Sequence, residues 1–316
     1  MVQARTLARD ELALDHRARG NALDLAAAMP RLTLAARRVA AAAAHGLHGR
    51  RRAGPGENFW QFRHFSSGEP AASVDWRRSA RDDTLYVRER EWEATHTIWL
   101  WIDRSRSMHY RSSLTDNAKL ERGVVLALAL AELLVRGGER AGLLGLTRPT
   151  ASRRVVDVLG ERLAMEPLPE QDAPPLLPLP PLSEVVLFSD FLGPASDTEQ
   201  AIQSLAVRGA RGHLVCISDP AEEDFPFTGR TDFVDPETGA RYTAGRAQDL
   251  RRDYQVRLEA HREALRRAAA RLGWSFATHR TDRPPSQVLL ALHARLTERG
   301  AITGPTTGPN TGLGAA

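Results

Sequence analysis

The sequence predicts an α/β protein: a doubly wound, mostly parallel sheet preceded by an N-terminal helical and β extension. Three observations carry this expectation. Apolar runs over Thr97–Ile102, Glu184–Phe188, Gly212–Ile217 and Trp274–Thr278 alternate with helix-patterned segments, as in a parallel sheet covered on both faces. Two of these runs pass directly into acid-bearing loops, Asp103-Arg104-Ser105-Arg106-Ser107 and Ser189-Asp190. A chain of 316 residues and 34.8 kDa holds one large domain, or one domain with a sizeable extension.

Taken in order, Leu23, Leu25, Ala26, Met29, Leu32, Leu34, Ala35 and Val39 fall at spacings of three and four and predict a helix over 21–45. Pro30 is expected to kink or divide it, and Gly46 and Gly49 end it. A turn-rich stretch leads to strands expected near Ser73–Trp76 and Leu85–Glu91. After the 97–102 strand, a helix over about Asn117–Arg136 is stopped by Gly137-Gly138. Strands are then expected over Ala141–Leu146 and Arg153–Val158. Pro167–Pro181 is too proline-dense for a helix or a central strand and reads as a linker across the sheet or an extended arm. Helices follow over Asp197–Arg208, Asp249–Leu272 and Pro285–Glu298, with an irregular loop after Asp219-Pro220. The expected organisation is a flexible N-terminus over 1–19, the extension over 20–94, the α/β domain over 95–298 and a disordered Gly/Thr/Pro-rich tail over 299–316.

Composition excludes several functions. No window approaches the ~20 apolar residues of a membrane span, and the first ten residues lack a signal-peptide core. A lone cysteine, Cys216, excludes an intrachain disulfide, so a cytoplasmic location is expected. The net charge of +4 comes from 43 basic residues interleaved with 39 acids, and no aromatic platform accompanies the cluster Arg50-Arg51-Arg52, so no nucleic-acid partner is expected. The only lysine, Lys119, lies between Ala118 and Leu120 and cannot be the lysine of a phosphate loop. No Gly-x-Ser-x-Gly elbow frames Ser105 or Ser107, and no His-Glu-x-x-His occurs. The chain is therefore expected not to be an enzyme.

Asp103, Ser105 and Ser107 place three oxygen donors in one tight loop at the C-terminal end of a buried strand, where open α/β sheets bind ligands. Hard cations such as magnesium take oxygen ligands. The competing structural role is a helix cap. Asp190 tips a second loop at the same edge. Asp219 ends a third strand, and Asp219-Pro220 reads as a turn starter.

Asp-x-Ser-x-Ser at 103–107, with a later strand ending in Asp190, resembles the von Willebrand factor A domain and its metal-ion-dependent adhesion site. The wider pattern resembles the bacterial family called domain of unknown function 58: Gly54-Pro-Gly-Glu57-Asn-Phe59, Arg63, Gly68, Asp75-Trp76-Arg-Arg78-Ser79-Ala80-Arg81, Arg140-Ala-Gly142-Leu-Leu, Asp219-Pro220, Pro226-Phe227, Gly229 and Thr281-Asp282. The resemblance runs from about residue 20 to 298. It implies Mg2+ (or Mn2+) held by Asp103, Ser105, Ser107 and Asp190, with a partner carboxylate in the open position. The threonine that such sites take from a second loop is missing, because no threonine lies between Ser152 and Asp190; metal binding is expected to be weak. The resemblance also implies a non-enzymatic adaptor working with a MoxR-type AAA+ ATPase or its client protein, in chaperone-like maturation of protein complexes. The alternatives are a metal-free scaffold and a metal-dependent phosphoesterase using Asp103, Asp190 and Asp219. Asp103 is expected in a solvent-facing loop. Trp76 is expected in a core, as are Phe59, Trp60, Phe62 and Phe65, with a partner-contact arm as the other reading of 75–81.

Overall fold

The computed structural model describes residues 24–45, 61–66, 74, 76–81, 84–89, 96–167, 173–180, 183–207 and 209–300. They fall in two units, one spanning Leu47–Thr95 and the other containing helix α1 (24–45) and everything from His96 onward. The expected N-terminus 1–19, the expected tail 299–316 apart from residues 299 and 300 (which end a helix), and the motif at Gly54–Phe59 with Trp60 lie outside the described residues.

The smaller unit holds an antiparallel pair, β1 (Gln61–His64) and β2 (Tyr86–Glu89), registered Gln61 to Glu89. Where a strand was expected over Ser73–Trp76, the chain has an isolated bridge residue at Val74 and a short helix α2 (Trp76–Ser79). The Ser79 hydroxyl accepts a hydrogen bond from Tyr86 N at 2.9 Å, which joins α2 to β2. Trp76 is 61% exposed, so it is not the core residue that its size suggested.

The larger unit is built on five parallel strands: β3 (Thr97–Ile102), β4 (Arg140–Leu143), β5 (Glu184–Ser189), β6 (Arg211–Ser218) and β9 (Ser275–Arg280), in spatial order β4-β3-β5-β6-β9. Period-two alternation sends Val186 and Phe188 of β5 into one core and Val185 and Leu187 into the other. The first core is closed by α1, α3 (Lys119–Arg136), α4 (Val155–Met165) and α8 (Pro285–Gly300). The second is closed by α5 (Ala195–Ala206) and α7 (Arg251–Arg271). Both faces are covered, so the strands read as near-continuous apolar runs. The chain leaves β3 toward β4 and then crosses to β5, which puts the reversal of winding between β3 and β5. Ligands bind at such a point in open α/β sheets.

Helix α1 runs through Pro30 without interruption. Leu25, Met29, Leu32, Ala36, Ala40 and Ala43 bury one face of it in the α3 core, so it belongs with the sheet rather than with an extension over 20–94. Gly160 explains its close approach: a Cβ there would lie 2.9 Å from Thr33 Cγ2. The short strand expected over Arg153–Val158 is instead the start of α4, which buries Val155, Val156, Leu159 and Leu163 at helical spacing. A short β-branched run cannot be assigned by periodicity alone. The loop expected after Asp219 contains helix α6 (Pro220–Asp224) and a hairpin, β7 (Thr231–Val234) with β8 (Arg241–Ala244). Residues 173–180 form neither helix nor strand. Among the described residues, no helix is long and apolar enough to cross a membrane.

Candidate functional site

Asp103 follows β3 by one residue, and its N–H donates to Phe188 O at 2.9 Å, extending the ladder with β5. That register sets Asp103 beside Ser189, whose hydroxyl donates to Asp103 Oδ2 at 2.6 Å. Ser105 N donates to Asp103 Oδ1 at 2.8 Å, so the aspartate closes its own turn. It caps no helix: the 3-10 turn Ser107–His109 begins after Arg106 with no side-chain cap. Nor does the loop face solvent, since Asp103 is only 2% exposed. Ser105 Oγ and Ser107 Oγ lie 3.1 Å apart. Asp190 accepts from Leu192 N through Oδ1 at 3.2 Å and from Lys119 Nζ through Oδ2 at 2.8 Å. All four expected ligands therefore reach one sheet edge, at the switch between β3 and β5.

Three of them, Asp103, Ser107 and Asp190, line a cavity of about 800 Å3 together with Phe191, Glu222, Phe225 and residues of β7 and its turn; Ser105 does not line it. Phe225 packs against Phe227, Phe233 and Tyr254 with ring centroids 5.2, 5.7 and 4.9 Å away. Phe191 (φ 50°) and Phe225 (φ 45°) are the two non-glycine residues with positive φ among those described, and both line the cavity. Left-handed backbone is unfavourable for an aromatic residue and clusters at functional sites. The hairpin turn brings Glu237 over the edge, where Oε1 accepts from Ser107 N at 2.8 Å.

Lys119 opens α3 and is fully buried. Besides Asp190 it binds Glu222 Oε1 at 2.5 Å. Glu222 in turn accepts from Asp219 N through Oε2 at 2.8 Å, closing a capping box at the start of α6. Burial pushes the lysine downward, but the Asp190 and Glu222 carboxylates outweigh it and hold Lys119 above its usual value. These contacts bear on whether a divalent cation fits. Both oxygens of Asp103 and both of Asp190 already accept from protein donors, one of them a buried ammonium, and the second-loop threonine is missing. A cation at this edge would compete with Lys119 for Asp190 and would use the remaining lone pairs of the carboxylate oxygens.

Asp103 carries a pH signature. Burial pushes its carboxyl up to about 6; the Ser189 hydroxyl pulls it down, the Asp190 charge raises it, and Ser105 lowers it. The folded chain thus keeps a proton that the unfolded chain releases near 3.8, and this group's contribution to stability falls as pH rises from about 4 to 6. His279 acts in the opposite sense. Burial, then the Arg122 charge, push it down to about 4 from 6.5, so its contribution grows as pH rises through that window. Asp103→Asn keeps an oxygen for Ser105 N and removes the first effect. Its stability should exceed wild type above pH 6, on the order of 2–3 kcal/mol. Between pH 4 and 6 it should fall steeply with acid where wild type stays nearly level. Melting curves from pH 4 to 8 check this; parallel profiles for the two proteins would refute it.

Two potential catalytic arrangements do not serve the cavity. Asp219 is fully buried; it accepts from Ala221 N and Ser112 N, each at 2.8 Å, and so ties α6 to the loop after β3. His213 lies between Ser275 Oγ (2.8 Å) and Glu184 Oε2 (3.2 Å), an arrangement like a nucleophile, base and acid. These residues are buried at the N-terminal ends of β9, β6 and β5, opposite the cavity.

Sequence reasoning used Lys119 only to exclude a phosphate loop, and missed Ser189, Glu222 and Glu237 as site residues. The hairpin had a legible signal: alternation over Thr231–Val234 and Arg241–Ala244 around Asp235-Pro236-Glu237-Thr238-Gly239.

Fold and site define an α/β protein with a crevice at the switch point of a parallel sheet. The chain belongs to the family described as protein of unknown function DUF58, which it matches over residues 61–264. It is 26% identical over 278 residues to the uncharacterized proteins Mb1516 of Mycobacterium bovis and Rv1480 of Mycobacterium tuberculosis, covering 82% of this chain and 86% of each relative. Among the solved structures that resemble it are two from Bacteroides. One is an aerotolerance-related membrane protein from Bacteroides fragilis with multiple mutations to serines (13% identity, TM-score 0.39). The other is the conserved hypothetical protein BatB from Bacteroides thetaiotaomicron (11% identity, TM-score 0.41). Each match covers 64% of this chain and 99% of the other.

Proposed function

We propose that this chain is a non-enzymatic interaction protein, von Willebrand factor A-like in architecture, that acts as an adaptor for a MoxR-type AAA+ ATPase or its client in chaperone-like maturation of protein complexes. The crevice is the docking site and the ATPase hydrolyses the nucleotide. The observation that carries this reading is the crevice itself, of about 800 Å3, lined by the Phe225–Phe233 cluster and the turn of the β7–β8 hairpin, with no histidine among its described lining residues. Aromatic walls with a few placed polar groups suit an inserted partner side chain.

The chemistry of that side chain differs from the sequence expectation. Asp232, Asp235 and Glu237 of the hairpin add to Asp103, Asp190 and Glu222, against the single ammonium of Lys119. A partner carboxylate would meet like charge, so the complementary group is basic. Asp232 and Glu237 are exposed, and replacing both by lysine should leave folding intact. Affinity for a MoxR-type ATPase from the same organism should then fall about tenfold or more, with a weaker salt dependence. Titration of labelled protein, with melting curves on the same samples, tests this. Unchanged affinity in the folded double variant would remove the crevice from the interface.

A further inference from the structure

We propose that Lys119 is the resident cation of this site: its ammonium, clamped between Asp190 and Glu222, takes the place a divalent ion would fill, and the crevice works without bound metal. The inference concerns the electrostatics of the crevice and does not depend on which partner docks there.

Three features argue for it. Lys119 is the first residue of α3, and its backbone N–H donates to Tyr110 O at 3.3 Å, so the main chain aims the side chain under the site. The ammonium contacts Asp190 at 2.8 Å and Glu222 at 2.5 Å and lies 5.8 Å from the centre of the Tyr110 ring, which gives it two carboxylates and an aromatic face in place of water. Burial is tolerated only for such a paired and hydrogen-bonded charge. A divalent ion drawn to Asp190 would have to displace the lysine or sit beside it, and like charges in a buried setting repel strongly. The donors that remain, Ser105 Oγ, Ser107 Oγ and the already engaged Asp103, make a poor set for a cation that prefers six oxygen ligands. One lysine thus ties the loop after β5 to the starts of α3 and α6.

The test is to remove the tethered cation and ask whether a free one replaces it. Mn2+ binding to the full chain is followed by electron paramagnetic resonance, and Mg2+ binding by calorimetry, on wild type, Asp190→Asn, Lys119→Met and Lys119→Met with Asp190→Asn. Wild type should show no binding that Asp190→Asn removes. Lys119→Met should bind Mn2+ about tenfold or more tighter than wild type, and lose that gain when Asp190 is also replaced. Should Lys119→Met fail to fold, Lys119→Met with Glu222→Gln leaves one unpaired carboxylate and answers the same question. Wild-type binding abolished by Asp190→Asn would overturn the proposal. So would Lys119 variants that bind no more tightly than wild type.

Discussion

Lys119→Met, measured with metal excluded by a chelator, is expected to lose about 3–5 kcal/mol of stability, the usual result of removing one partner from a buried ion pair. Methionine fills nearly the same volume as the lysine stem, so the loss reports charge rather than a cavity. Asp190 and Glu222 are left with side-chain exposures of 5% and 17% and no cation. Burial already raises the Glu222 carboxyl, and the Lys119 charge is the first influence opposing that rise. Without the lysine the Glu222 carboxyl should titrate further upward, so the variant should recover part of its loss as pH falls from 8 to 5. The sign for wild type is different. Lys119 sits above its usual 10.5, so the stability it contributes is present below that pH and is lost as pH rises through the higher folded value. Adding Asp190→Asn and Glu222→Gln to Lys119→Met removes the stranded charges and should restore most of the loss. Urea denaturation of the three proteins decides; a Lys119→Met cost under about 1 kcal/mol would mean that water reaches and screens the pair.

The same triad shows where sequence stops informing. Asp103 and Asp190 could be placed together because parallel strands in an α/β sheet expose their C-terminal loops at one edge, and both acids directly follow apolar runs. Lys119 could not be placed, since it meets its partners across 71 and 103 residues of chain, and nothing in Ala118-Lys119-Leu120 encodes that. Its flanks read as one more turn of an apolar helix. Burial misled in both directions: Trp76 looks like core and is exposed, whereas Asp103 looks like a solvent-facing loop residue and is covered by Ser189 and the β5 edge. Val155-Val156-Asp157-Val158 has strand composition, and only its packing against α1 and α3 makes it helical. The roof of the crevice was lost with the hairpin, and Glu237 and the aromatic cluster went with it.

Gly212→Ala is expected to lose about 3–5 kcal/mol, comparable to deleting a buried tryptophan. Gly212 is the second residue of β6, between Val185 on β5 and the β9 side. A Cβ there would lie 2.1 Å from Trp274 Cε3, well inside any contact a real side chain makes. The indole therefore lies directly over the glycine, 5% exposed, and its Nε1 donates to Ala210 O at 3.2 Å. That bond and the start of β9 fix the ring, so the alanine variant must either expel the indole or shift β6 against its neighbours. Both outcomes forfeit packing in the α5–α7 core, which Trp274 shares with Leu205, Leu265 and Ala269. Replacing Trp274 by leucine in the Gly212→Ala chain should relieve the clash, so the double variant should be more stable than the sum of its single losses. Urea denaturation of the cycle measures this, and a Gly212→Ala cost below about 1 kcal/mol would show that the ring can move aside cheaply. Gly212 lies near the N-terminal end of β6, whereas Asp219 and the crevice lie beyond its C-terminal end. Partner affinity corrected for the folded fraction should therefore match wild type. A fall in that corrected affinity would mean that the indole sets the geometry of the crevice from the far end of the sheet.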